Sequence, residues 1–181
     1  MSKTYNFTSG RKLVIEPDND AQSPREYSNY ATMIFFHKRY RLGDKHNINP
    51  QDYDGWDEMQ THLEQEYKYL QPVYMLDHSG ITISLHPFSG EIAHWDSGRI
   101  GFIGIKRDKH HPFREKRSLE IINSEIETYD QYIRGDIYWF ELLDQDGNRI
   151  DSCGGFYGDN VLTNGMIDYL DLTETEIKEL K

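Results

Sequence analysis

The stretch Pro72–Ile105, PVYMLDHSGITISLHPFSGEIAHWDSGRIGFIGI, contains three short runs that favour β-strands. Apolar residues alternate over Val73–Leu76 and again over Ile81–Leu85, and the turn Asp77–Gly80 between them suits a tight reversal. These two runs predict a β-hairpin. The third run, Ile100–Ile105, is almost continuously apolar, which predicts a strand buried on both faces in the middle of a sheet.

Two further hairpins are expected, one near each end of the chain. Tyr5–Phe7 and Leu13–Ile15 flank a Ser-Gly turn, while Asp136–Leu143 and Arg149–Cys153 flank a turn rich in Asp, Gly and Asn. Both turns contain residues that tolerate positive φ, as tight hairpin turns require. The strands of this chain are therefore expected to pair mainly as antiparallel neighbours.

Two amphipathic helices are predicted to pack on the sheet. Asp52–Leu70 has an N-terminal cap in Asp54 and apolar residues three or four positions apart, namely Trp56, Met59, Leu63, Tyr67 and Leu70. A second helix begins at about Phe113 or Ser118 and ends at Arg134, because Gly135 is a stop signal. A capping box at Thr173–Glu176 predicts a short helical tail that ends at Leu180.

The chain of 181 residues is expected to form a single α+β domain over residues 1–181. Its architecture would be a largely antiparallel sheet of hairpins packed by two main amphipathic helices, with a short C-terminal helical tail. No apolar run approaches the roughly 20 residues that span a bilayer, and no signal segment follows Met1. We therefore expect no membrane association and a cytoplasmic location, with which the lone Cys153 agrees. The sequence does not predict an oligomeric state.

The net charge of -11 is concentrated at one end of the chain. Residues 1–117 contain 16 Lys and Arg and 16 Asp and Glu, whereas residues 118–181 contain 4 and 15. Such a segment repels nucleic acid and is attracted to basic surfaces, including those that hold nucleic acid. The alternative is an ordinary solvated acidic surface.

The second predicted helix displays carboxylates. Glu120 and Glu127 project from its solvent face, and Glu125 and Asp130 lie on opposite flanks. Seven residues of helix separate Glu120 from Glu127 by about 10 Å, a spacing closer to that of successive phosphates than to that of a catalytic pair. The arrangement predicts a charged binding surface, with a solvated helix face as the alternative.

The most basic short segment is His37–Arg41, followed by Leu42-Gly-Asp44. Three cations with one Tyr are too few to indicate a nucleic-acid site, and Asp44 opposes them. Direct contact with nucleic acid is therefore not expected.

Three histidines, His78, His86 and His94, recur every eight residues, and Asp96 follows closely. Such side chains suit zinc or iron if adjacent strands bring them together. The tight metal-binding signatures are absent, so no metal and no cofactor are expected, and the three histidines remain the alternative.

Nucleophilic catalysis by Cys153 would require His78 as base and Asp96 or Asp151 to orient it. A lone Cys at the end of a strand is more typical of a small buried hydrophobe. No catalytic residue is therefore expected.

Several short motifs carry a family resemblance over roughly residues 23–166. They are Ser23-Pro-Arg-Glu26, His37-Lys-Arg-Tyr40 with Leu42-Gly-Asp44, Asp77-His-Ser-Gly-Ile81, Pro87-Phe-Ser89, Trp95-Asp-Ser-Gly98 with Gly101-Phe-Ile103, Glu127-Thr-Tyr-Asp-Gln-Tyr132 with Gly135-Asp136, and Asp151-Ser-Cys153 with Gly155-Phe-Tyr-Gly158. This pattern resembles a family of small proteins from phages and mobile elements of Gram-positive bacteria, including anti-CRISPR proteins that act on type II effector nucleases.

The resemblance implies a phage-encoded anti-CRISPR inhibitor that acts in the cytoplasm of a host bacterium. It would bind a CRISPR effector with its guide RNA and block the positively charged DNA-binding groove with an acidic surface. The side chains expected to bind the partner are Glu120, Glu125, Glu127, Asp130 and Asp96. The alternatives are a metal-dependent hydrolase that acts on nucleotides or a defence signal, and a phage regulatory binding protein.

Overall fold

The computed structural model describes residues 2–107 and 113–180. These residues form an α+β fold with two four-stranded antiparallel sheets, so the predicted fold class is confirmed. The chain divides into two compact units. We call Pro24–Asp130 the middle unit, and the residues up to Ser23 together with those from Gln131 onward the terminal unit. This division is not evident in the sequence.

The regular elements follow the order β1 (Lys3–Asn6), β2 (Lys12–Pro17), β3 (Ala31–Phe35), α1 (Trp56–Glu66), β4 (Tyr67–Asp77), β5 (Ile81–Ser84), α2 (Glu91–Asp96), β6 (Ser97–Lys106), α3 (Glu115–Ile133), β7 (Ile137–Leu143), β8 (Arg149–Tyr157) and α4 (Glu174–Glu179). Short 3-10 helices lie at Pro24–Glu26, Pro50–Asp52 and Met166–Tyr169. In the described part of the chain, no helix is both long enough and apolar enough to cross a membrane.

The terminal unit contains a sheet of order β1-β2-β7-β8. The β1–β2 and β7–β8 pairs confirm the two hairpins predicted near the chain ends. Inward-facing side chains alternate along β2 and β7, where Leu13, Ile15, Phe140 and Leu142 are fully buried. The predicted tail is confirmed too, because α4 begins with the capping box of Thr173 and Glu176.

The middle unit contains a sheet of order β3-β6-β4-β5. Strand β6 pairs with β3 on one side and β4 on the other, which confirms the central strand predicted at Ile100–Ile105. Strands β4 and β5 form the predicted hairpin. A β-carbon at Gly101 would collide with the carbonyl oxygen of Ile34, so glycine lets β3 and β6 pair closely.

The first predicted helix was too long. Helix α1 ends at Glu66, and Tyr67 and Leu70 belong to β4. The register of β4 against β6 shifts between Lys68 and Gln71. This bulge places buried side chains at Tyr67, Leu70 and Val73, three residues apart, and so imitates a helical period. The predicted cap was also wrong, because the N-cap is Gly55, which makes no side-chain capping bond.

The second predicted helix is confirmed as α3, whose buried face includes Ile122, Ile126 and Tyr129. Helix α2 was not predicted. Its 6 residues are too few to show a helical period in a sequence.

Candidate functional site

A cleft of about 390 Å³ in the middle unit brings polar and aromatic side chains together. It lies where β4 and α2 end and β6 begins, beside the segment that follows β3. Its walls include Phe36, His37, Asp77, Trp95, Asp96 and Arg99. Most of these residues come from the motifs that carry the family resemblance.

Trp95 is the most exposed large hydrophobic residue in the described chain, with 84% of its surface accessible. Helix α2 presents it one residue before the helix ends, and the neighbouring ring of His94 packs edge-on against the indole, with centroids 5.0 Å apart. A tryptophan usually buries most of its surface, so an exposed one at the rim of a cleft indicates a binding contact.

Asp96 is held by His78. The Nδ1 atom of His78 lies 2.8 Å from Oδ2 of Asp96, and both side chains remain accessible to solvent. The backbone of the β4–β5 turn fixes His78, whose N–H donates to the carbonyl oxygen of Gly80. The cleft therefore contains an oriented carboxylate next to an exposed indole.

Asp77 supplies a second carboxylate. The hydroxyl of Tyr40 donates to Asp77 Oδ1 at 3.4 Å, and Nη1 of Arg39 lies 3.9 Å from Oδ2. Desolvation, assisted by the hydrogen bond to Asp77, raises the pKa of Tyr40 above its usual value, so this hydroxyl is a donor at neutral pH. The ring of His37 stacks on that of Tyr40, and its Nδ1 accepts the N–H groups of Arg39 and Tyr40.

Arg99 lines the cleft on the side of Trp56 and Phe102. Its guanidinium lies 4.2 Å from the ring centre of Phe102 and 5.3 Å from that of Trp56, and it donates to Gln60 Oε1. Burial lowers the pKa of Arg99 from its usual value, yet an arginine remains charged at neutral pH. This cation is held against aromatic faces by contacts within the protein.

The three histidines of the metal alternative do not converge. His78 pairs with Asp96, His94 packs on Trp95, and the backbone N–H of His86 donates to Ser84 Oγ. Among residues 2–107 and 113–180, no three His, Cys, Asp or Glu side chains are grouped as metal ligands would be. Within the described chain, the metal-dependent alternative thus has no ligand set.

Two of the predicted binding carboxylates have partners inside the middle unit. Glu125 forms an ion pair of 2.7 Å with Arg25 and accepts the N–H groups of Tyr30 and Ala31. Asp130 accepts a hydrogen bond from the hydroxyl of Thr82 at 2.7 Å and another from the N–H of Ile83 at 2.8 Å. These two carboxylates fasten α3 to neighbouring segments.

The other two carboxylates of α3 are exposed, as the helical geometry predicted. Glu120 pairs with Arg117 one turn earlier at 3.1 Å, an exposed contact that contributes little stability. Glu127 is exposed as well. Of the five carboxylates predicted to bind the partner, Glu120, Glu127 and Asp96 are therefore accessible. Asp77, which the sequence did not single out for binding, is partly accessible as well.

Sequence reasoning singled out Asp96 but missed Trp95, Arg99 and His37 as parts of the same site. For Trp95 and His37 the signal that could have found them is the set of short motifs, since His37–Tyr40, Asp77–Ile81 and Trp95–Gly98 all border this cleft. Arg99 lies outside these motifs. Comparison with known proteins adds no identification: no family model, no curated protein and no solved structure matches the chain.

Proposed function

We propose that the protein is a phage-encoded anti-defence protein that works by binding a protein partner. Following the family resemblance, we propose that this partner is a host defence nuclease, a type II CRISPR effector loaded with guide RNA. The observation that carries the binding role is Trp95, which is 84% exposed beside the oriented carboxylate of Asp96. Tryptophan is among the residues most enriched where binding energy is concentrated.

The chemistry of the cleft favours a basic side chain of the partner. An indole face attracts a cation, and carboxylates form strong, charge-assisted hydrogen bonds with Arg or Lys. Trp95 together with Asp96 and Asp77 provides both interactions in one cleft of about 390 Å³. An arginine that enters this cleft would lay its guanidinium near the indole and donate to a carboxylate.

The overall charge supports the same class of partner. At -11 the protein is attracted to a basic protein surface, which accelerates encounter and makes the affinity salt-dependent. Type II effectors hold their heteroduplex in a positively charged channel and read the adjacent DNA motif with arginines. A bound acidic protein that occupies such arginines would keep target DNA out.

The test is a titration of a purified, guide-loaded type II effector, with binding and DNA cleavage measured on the same samples. We expect Trp95→Ala to weaken binding by about tenfold or more, the loss typical of a truncated central aromatic, and to restore cleavage in parallel. Asp96→Asn should weaken binding by a smaller factor than Trp95→Ala. Tyr169→Ala is the matched control, since Tyr169 is an exposed aromatic of the terminal unit, and it should leave affinity unchanged.

The outcomes separate two parts of the proposal. If the unmodified protein does not bind the effector, the assignment of the partner is wrong. If it binds but Trp95→Ala binds equally well, the cleft is not the contact. Reversal of Glu125 and Asp130 cannot replace this test, because both side chains hold α3 in place and their reversal would disrupt the fold.

A further inference from the structure

A second hollow in the middle unit lies under the segment His37–His46, which we call the basic loop. The hollow measures about 440 Å³, within the range of roughly 300–1,000 Å³ that is typical of small-molecule sites. Its walls include Tyr40, Arg41, Gly43, Lys45 and His46. The residues that line it differ from those that line the cleft at Trp95, except for His37, which lines both.

The basic loop is held in a fixed shape. Arg25 donates to both carboxylate oxygens of Asp44, at 2.9 and 2.6 Å, and Asp44 also accepts the N–H of Met33. Gly43 has a φ of 74°, and a β-carbon there would lie 2.8 Å from the carbonyl oxygen of Met33. The N–H of Gly43 donates to the hydroxyl of Tyr129. The walls are therefore preorganised.

The basic loop has more cations than carboxylates. It contains four Lys or Arg residues and one carboxylate, Asp44. Arg25 holds that carboxylate in a largely buried ion pair of 2.6 Å, and the same guanidinium also pairs with Glu125. Within the described part of the chain, Arg41 and Lys45 form no ion pair, and both are exposed at the hollow. Asp44, which opposes these cations in the sequence, is held by Arg25 and, within the described residues, forms no ion pair with Arg41 or Lys45.

Two further features suit a nucleotide better than a bare anion. The stacked rings of Tyr40 and His37, 5.0 Å apart, offer an aromatic surface of the kind on which bases stack. At the wall of the hollow, His46 contacts the carbonyl oxygen of Phe35 through Nε2, while its Nδ1 is buried and has no hydrogen-bond partner in the described chain. A ligand hydroxyl would satisfy this buried atom only if it reached the atom through the wall of the hollow.

We propose that this hollow binds a nucleotide through its phosphate, with Arg41 and Lys45 as the phosphate contacts. This inference does not depend on the nuclease partner. The nucleotide can be free, or it can belong to a single-stranded nucleic acid, since both present the same phosphate. Arg41 provides a planar fork for phosphate oxygens, and Lys45 provides a mobile point charge.

The experiment is calorimetric titration with adenosine 5′-monophosphate, with adenosine, and with a short oligothymidylate, at low and high salt. The unmodified protein should bind the monophosphate or the oligonucleotide, should bind adenosine at least about tenfold more weakly than the monophosphate, and should lose affinity as salt rises. Binding of the monophosphate indicates a free nucleotide as ligand, whereas binding of the oligonucleotide alone indicates a strand.

The variant Arg41→Ala with Lys45→Ala should weaken binding by about tenfold or more, because two charge-assisted contacts are lost. The matched control is Arg114→Ala with Lys116→Ala, which removes the same charge from exposed positions just before and within the first turn of α3. Circular dichroism verifies the fold of each, and the single variant Lys45→Glu is a second probe should the double variant unfold. The proposal would be overturned if neither phosphate ligand bound, or if adenosine bound as tightly as the monophosphate. Equal losses of affinity in the double variant and in its control would overturn it as well.

Discussion

The terminal and middle units differ in how their charges are arranged. The terminal unit has 7 Lys and Arg against 14 Asp and Glu, whereas the middle unit has 13 against 17. The middle unit nevertheless holds both a cleft with the carboxylates Asp77 and Asp96 and a hollow with the cations Arg41 and Lys45. The acidic excess of residues 118–181 is divided between the units, because the carboxylates of α3 belong to the middle unit and the rest belong to the terminal unit.

A second contrast lies within α3 itself. Glu125 pairs with Arg25, and Asp130 accepts a hydrogen bond from the N–H of Ile83 in β5, while Glu120 and Glu127 are exposed. The four residues look equivalent in a count of charge. Whether a carboxylate is structural or available for a partner depends on segments that are distant in sequence, and this contrast can be tested by mutation.

The largest effect on stability is expected in the middle unit for Arg25→Ala. Arg25 is 7% exposed, and its removal would leave Asp44 and Glu125 partly buried without a counter-charge. Burial opposes the charge of Arg25, but the hydrogen bonds to Asp44 and Glu125 outweigh it and raise the pKa of Arg25. We expect the free energy of unfolding, measured in urea, to fall by about 3 kcal/mol.

The matched control for Arg25→Ala is Arg117→Ala, which breaks the exposed pair with Glu120. It should change the free energy of unfolding by less than about 0.5 kcal/mol. Similar losses from both variants would contradict the distinction between structural and displayed carboxylates in the middle unit.

The terminal unit has its own structural carboxylate, Glu176, which is 1% exposed. Burial acts to raise its pKa, but hydrogen bonds from Ser9 and Thr173 and the charge of Arg11 outweigh burial and lower the pKa below its usual 4.5. The ionised form thus stabilises the folded state above pH 4.5, and this contribution is lost as the pH falls through the lower folded pKa.

We expect Glu176→Gln to lower the free energy of unfolding at neutral pH by about 1–2 kcal/mol. Below pH 4.5 the stability of the unmodified protein should decline towards that of the variant, so the two curves converge. Urea unfolding across the acidic range measures this. A constant gap between the curves at all pH values would show that ionisation of Glu176 plays no part.

The smallest expected effect compares two positions on α3. Asp130→Ala should reduce the free energy of unfolding by about 1 kcal/mol, since the N–H of Ile83 loses its acceptor. Glu127→Ala should change it by less than about 0.5 kcal/mol, because Glu127 is exposed. Thermal or urea unfolding of the two variants side by side measures the difference. Equal losses of stability would show that Asp130 is no more important for the fold than Glu127.

Much of the fold could be predicted from local patterns. The continuous apolar run at Ile100–Ile105 specified a central strand, and turn residues located three hairpins. The error at Tyr67 and Leu70 arose because a β-bulge spaces buried side chains like a helix. The division into two sheets could not be read from the sequence, since strand order between hairpins depends on long-range pairing such as β2 with β7.

The site was less predictable for the same physical reason. The sequence indicated Asp96 as a charged residue near histidines. Its partner His78, however, is 18 positions away in the chain. The motifs of the resemblance include structural residues as well as site residues, since Arg25, Gly43, Asp44 and Asp130 all hold segments of the middle unit together. A motif alone does not distinguish these two roles.

We propose that Trp95 and Asp96 form the contact with a basic protein partner. Amide hydrogen exchange of the protein, free and bound to a guide-loaded type II effector, tests it most directly. Amide exchange should be slower in the complex over Glu91–Arg99 and in the turn Asp77–Gly80. Unchanged exchange in both segments, with protection elsewhere in the chain, would contradict it.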